Sequence, residues 1–174
     1  MNVTLEKIGL GQQKILRNLY SLYLHDLSAY ANGLQVSEDG SFEFDSFSLI
    51  WEKEGLSPYL IKADDHLAGF ILLLEAPLTK KVDNVVNDFF ILNPYRGKGV
   101  AKAAAAKIFE QHKGSYYISQ LIRNEPAVRF WKKIYQQFEV DVEEVAEVQD
   151  GEEVVYQTFV IRHFRIQKTE AEIN

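Results

Sequence analysis

The sequence predicts an α+β fold: a central mixed, mostly antiparallel sheet of six to seven strands, flanked by about four helices. Three observations predict it. Strand-like runs come in neighbouring pairs separated by turn residues, at 58–63 with 67–74 and at 140–148 with 154–164. Helical periodicity is confined to four stretches, at 12–32, 47–53, from 100 onward and from 125 onward. Between the middle two, the apolar strand Phe89 to Leu92 runs through Asn93-Pro94 and two glycines, Gly97 and Gly99, straight into a helix marked by Val100, Ala104 and Ile108.

Taken in order, residues 3–8 alternate weakly and form a first strand. The helix at 12–32 carries Leu16, Leu19, Tyr20, Tyr23, Leu27 and Tyr30 on one face, and Gly33 stops it. Residues 34–57 are acidic (Glu38, Asp39, Glu43, Asp45) and aromatic (Phe42, Phe44, Phe47, Trp51). They read as a segment held down by its rings around a short helix at 47–53. Strands 58–63 and 67–74 meet at Asp64-Asp65-His66, a hairpin turn in which His66 is a turn residue. A loop at 77–82 precedes the central strand, 84–92. The following helix is rich in alanine, which favours helix and lets it lie close to the sheet. A strand at 116–122 leads to Asn124, placed to cap a helix with Pro126 in its first turn. Asp150-Gly151 joins the last two strands as a hairpin. Residues 1–166 are expected to form one domain and 167–174 a polar, frayed tail.

Composition narrows the function. With 174 residues, 47% of them hydrophobic, the chain can bury a sizeable core. A net charge of −6 argues against nonspecific nucleic-acid or anionic-membrane binding and does not repel a cationic amine. Without cysteine there is no thiol catalysis, disulfide or thiolate metal site. His25, His66, His112 and His163 have no ligand spacing, so no metal is expected. The apolar runs are too short for a bilayer and Met1-Asn2-Val3-Thr4 carries no signal pattern, so a cytoplasmic protein is expected, as monomer or homodimer.

The glycine turn is where chemistry concentrates. The first amides of a helix lack carbonyl partners, and the helix dipole adds positive potential there. Glycines allow close approach, and Arg96, Lys98 and Lys102 supply charge, so the turn is built to hold a phosphate. A dinucleotide loop requires a third glycine where Lys102 stands. A P-loop requires Lys after the second glycine, where Val100 stands. What remains is Arg96-Gly97-Lys98-Gly99-Val100-Ala101, an Arg-x-x-Gly-x-Ala run. It is followed downstream by Asn124-Glu125-Pro126-Ala127-Val128-Arg129-Phe130-Trp131 and then Phe138.

These two motifs, in this order and at this distance, resemble those of the GNAT superfamily of N-acetyltransferases, and the order of elements matches that family across nearly the whole chain. The resemblance implies transfer of an acetyl group from acetyl-CoA to the primary amine of a small cationic molecule or a peptide. It implies that Phe89, Phe90 and Ile91 meet the acyl and pantetheine arm through their backbone. Residues Gly97, Lys98, Gly99, Val100, Ala101 and Lys102 cradle the diphosphate with Arg96, and Asn124 bonds the pantetheine or a water. Tyr23, Asp26 and Tyr30 of the first helix are the acceptor candidates; Phe130 is assigned to core packing. Many members place a tyrosine seven residues after the motif asparagine to protonate the departing thiolate. Here that position is Trp131, a cofactor-binding candidate whose indole is no practical acid. Tyr135, one turn on, is the substitute candidate. Asp88, beside the reacting strand, is the candidate base; because side chains alternate, it and Phe89 point opposite ways unless a bulge resets the count. A CoA-binding module without catalysis is the alternative reading.

Overall fold

The computed structural model describes residues 1–42, 45–75 and 81–162. Expectations at Glu43, Phe44, 77–80, His163, the end of the last strand and the 167–174 tail fall outside those residues. Seven strands form one sheet in the order β1-β2-β3-β4-β5-β7-β6. They are β1 Val3–Lys7, β2 Leu56–Ala63, β3 His66–Glu75, β4 Asn84–Ile91, β5 Gly114–Leu121, β6 Glu143–Gln149 and β7 Glu152–Ile161. Every pair is antiparallel except β4 with β5. Among the described residues, four α-helices accompany the sheet: α1 Gln13–Leu27, α2 Leu49–Glu52, α3 Val100–Gln111 and α4 Glu125–Gln137. No helix among the described residues is long and apolar enough to cross a membrane.

The sheet separates two cores. One face packs Leu60, Phe70, Leu72 and Phe90 against Leu16, Leu19 and Tyr20 of α1, with Phe47 and Ile50 from the α2 region. The other packs Ile61, Ile71, Val86, Ile91 and Ile118 against α3 and α4 through Val100, Ala104, Ile108, Phe109, Trp131 and Ile134. Ala104 and Ala105 lie under α3, so alanine does serve close packing there. Burying each large aliphatic side chain contributes about 1.5–3 kcal/mol.

Several boundaries differ from the sequence reading. Helix α1 ends at Leu27, not 32, with Ser28 as its C-cap, whose Oγ–H donates to the His25 carbonyl at 2.6 Å. The 47–53 helix is a 3₁₀ turn, Asp45–Ser48, running into α2. His66 opens β3 opposite Ala63, while Asp64 and Asp65 take the turn with φ of 47° and 64°. Strand β6 starts at Glu143, since the Val140 N–H donates to the Tyr135 carbonyl and Val140 and Val142 pack on the core.

The parallel pair fixes the site. β4 and β5 are in register only at Asn84↔Tyr116, Val85↔Tyr117 and Val86↔Ile118, then diverge. Asp83 pins their closed end: its Oδ2 accepts from the Ser115 N–H at 2.8 Å and Oγ–H at 2.7 Å. Those bonds hold the Asp83 carboxyl below its ordinary pKa of 3.8. A depressed carboxylate stabilises the fold above its unfolded value, and the stabilisation is lost as pH falls through the folded value. Asp83→Asn is therefore expected to flatten the fall in melting temperature between pH 5 and 3, measured by thermal melts across that range.

Candidate active site

The glycine turn is held by its flanks. A 3₁₀ turn at Asn93–Tyr95 closes with Tyr95 N–H on the Leu92 carbonyl and Arg96 N–H on the Asn93 carbonyl. Gly97 and Gly99 then take φ of 71° and 80°, conformations that L side chains resist. Gly99 is the N-cap of α3, and the first bond of the helix runs from Ala103 N–H to its carbonyl. Among the described residues, no carbonyl accepts the N–H groups of residues 97–102. A Cβ at either glycine would meet nothing within 4 Å. The turn thus offers free donors beside open space at a helix N-terminus, which fits a diphosphate.

That turn stands at the mouth of the notch where β4 and β5 part. The resulting cleft has a volume of about 560 Å³, within the range of small-molecule sites. Its walls are Tyr23, Asp26, Leu27 and Tyr30 of α1, Phe89, Phe90 and Ile91 of β4, the turn with Ala101 and Lys102, and Asn124, Pro126, Ala127, Phe130 and Trp131 at the start of α4. Beyond Val86 the β5-facing edge of β4 is unpaired, so main-chain groups of the strand border the notch. A groove of about 730 Å³ lies elsewhere, between residues 139–143 and β7, away from the glycine turn.

A bulge sets which side chains enter. The β3–β4 register slips between Leu72 and Leu73, leaving Asn87 unpaired. Val86 therefore faces α3 and α4, whereas Asp88 and Phe90 face α1 and Phe89 returns to the α4 side. Phe89 packs against Phe130 at 5.6 Å and Trp131 at 5.5 Å between ring centroids. Phe130 thus packs as the sequence indicates and also lines the cleft.

Asp88 lies behind the cleft wall. Its Oδ2 accepts from Tyr20 Oη at 2.7 Å and Asn87 Nδ2 at 2.8 Å. Tyr23, which does line the cleft, has its phenol held protonated well above the ordinary range, by burial first and then by the Asp88 carboxylate. Tyr20 is raised for the same reasons. Tyr135 does not reach the cleft. It is 4% exposed, stacks beneath Trp131 at 6.2 Å, and donates its hydroxyl to Gln157 Oε1 at 3.1 Å. Gln157 also accepts from Gln120 and donates to Glu144, a polar cluster between α4 and the sheet. Burial pushes the Tyr135 phenol up, away from the range of a useful acid.

Among the binding candidates, Asn124 caps α4 by accepting the Ala127 N–H at 3.3 Å and still lines the cleft. Val100 is buried beneath the turn, so only its N–H is on offer. Lys98 is exposed and outside the cleft wall, whereas Lys102 is in it. Arg96 and Asp26, assigned from the sequence to cofactor and acceptor respectively, form one ion pair. The sequence reading missed Leu27, Tyr95, Pro126 and Ala127 as cleft residues. Pro126 and Ala127 were inside the quoted motif; Leu27 and Tyr95 carry no chemical signal in the sequence.

The profile of the acetyltransferase (GNAT) family matches residues 16–135. The chain belongs to that family. That family is one of acetyltransferases. Its fold is shared with an acetyltransferase from Thermus thermophilus (TM-score 0.67, 11% identity, 91% of this chain and 96% of that one). It is also shared with yncA of Salmonella typhimurium, solved with its cofactor acetyl-CoA (0.61, 9%, 96% and 99%). A third is the ribosomal-protein-S18-alanine N-acetyltransferase of Escherichia coli (0.59, 10%, 97% and 99%). No curated protein sequence matches the chain.

Proposed function

We propose that this cleft transfers the acetyl group of acetyl-CoA to the primary amine of a small cationic molecule or a peptide. The observation that carries the reading is the row of unpartnered N–H groups at 97–102, at the mouth of a notch bordered by the unpaired edge of β4. Amides 97–102 and Lys102 would hold the diphosphate. Asn124 and the main chain of 89–91 would take the pantetheine arm, and Phe89, Phe130 and Trp131 would shield the acyl end from water.

In the reaction the amine nitrogen forms a bond to the thioester carbonyl carbon, the C–S bond breaks, and the amine gives up a proton. An alkylamine of pKa about 10.4 costs about 4.6 kcal/mol to deprotonate at pH 7. Asp88 is the carboxylate coupled to Tyr23 behind the wall, and a proton would reach it through the Tyr23 hydroxyl or a water. Charge on the carbonyl oxygen calls for a donor, and a main-chain N–H on the open edge of β4 can serve. Tied to Gln157, Tyr135 does not supply the proton to the departing thiolate. The same two facts, Trp131 at the acid position and Tyr135 buried, favour the second reading of a CoA-binding module without turnover.

Thiol release with acetyl-CoA and a panel of polyamines, aminoglycosides, amino acids and peptides tests the proposal. Turnover above hydrolysis with at least one amine is expected, with Asp88→Asn and Tyr23→Phe each lowering kcat by about tenfold or more. Tight CoA binding without turnover on any amine would select the second reading.

A further inference from the structure

We infer that Arg96 is a positioning residue and not a diphosphate ligand: through Asp26 it braces the acceptor helix α1 against the cofactor turn. This rests on the transfer reaction proposed above. Arg96 opens the Arg-x-x-Gly-x-Ala run, and by sequence its charge reads as phosphate-binding. The structure commits its side chain elsewhere. Nε donates to the Ile91 carbonyl at 2.7 Å, at the end of β4. Nη2 donates to Asp26 Oδ2 in the last turn of α1. The guanidinium carbon stands 5.5 Å from the Phe90 ring centroid. One planar fork therefore joins a strand end, an aromatic face and a helix, an arrangement a lysine cannot reproduce.

The remaining contacts of the turn agree. Lys98 and Lys102 have no ion-pair partner among the described residues, so the anion has cations available without Arg96. At its middle α1 is tied to β4 by the Tyr20–Asp88 hydrogen bond. Its last turn, which carries Asp26 and Leu27 into the cleft wall, has the Arg96 pair as its link to the turn. Asp26 has its Oδ2 committed to that pair, and through it sets where Tyr23, Leu27 and Tyr30 stand.

A double-mutant cycle on the full chain tests this. Asp26→Asn, Arg96→Gln and Arg96→Lys are each expected to raise the acceptor KM roughly fivefold, as loss of an exposed ion pair allows. Asp26→Asn with Arg96→Gln should be no worse than either alone. CoA affinity by calorimetry should stay within about twofold, and amide exchange should quicken in the last turn of α1 in every variant. A tenfold or greater loss of CoA affinity in Arg96→Gln but not Asp26→Asn would overturn the inference, as would multiplicative KM effects. If no amine is turned over, the transfer reading falls, and the affinity and exchange measurements still decide the role of Arg96.

Discussion

Gly99→Val is expected to weaken coenzyme A binding by a hundredfold or more while leaving a folded protein. Gly99 has φ of +80°, so an L side chain there costs about 1–2 kcal/mol, more when β-branched. In a domain of this size that lowers Tm by about 2–8 °C. Nothing lies within 4 Å of the new Cβ, so the fold has room for it. The room it takes is the space above the free amides, and a displaced anion loses charge-assisted hydrogen bonds of about 1.5–3 kcal/mol each. Two such losses already exceed a hundredfold. Gly40→Val is the control: Gly40 also has positive φ (+83°) and an open Cβ position, but lies outside the cleft. It should cost similar stability and leave CoA affinity unchanged. Calorimetry with thermal melts on both variants reads the difference.

Gly69→Ala is expected to cost about 3 kcal/mol of stability, a fall in Tm of about 6–12 °C, and most of the activity. Gly69 of β3 pairs with Ile91, and its Cβ would fall 2.0 Å from the Phe90 carbonyl oxygen and 3.1 Å from Ile91 Cα. Both obstacles are backbone, so no rotamer relieves them and β4 itself must move. The displaced residues are those whose main chain borders the notch. Activity should therefore fall even at temperatures where the variant is fully folded, as circular dichroism and thiol release together would show. Gly11→Ala, with open space around it, should change neither.

The parts of this molecule that depend on local sequence are legible in the sequence. Seven strands, the glycine turn, the Asn124 cap and both positive-φ hairpin turns follow from periodicity and turn residues, which act over a few positions. Tertiary facts were not legible. The bulge at Asn87 decides that Asp88 faces α1, and it is a property of the β3–β4 register. Tyr135 looked available on its helix face, yet β7 brings Gln157 to its hydroxyl. Asp26 and Arg96 are separated by seventy positions, and no spacing rule joins them.

The most direct test of the account follows the backbone amide resonances of residues 97–102 in the ¹⁵N-labelled protein during titration. Coenzyme A and adenosine 3′-phosphate 5′-diphosphate should both move these six amides, whereas pantetheine should perturb only residues of β4 and the start of α4. Unmoved 97–102 amides at saturating coenzyme A would contradict the account.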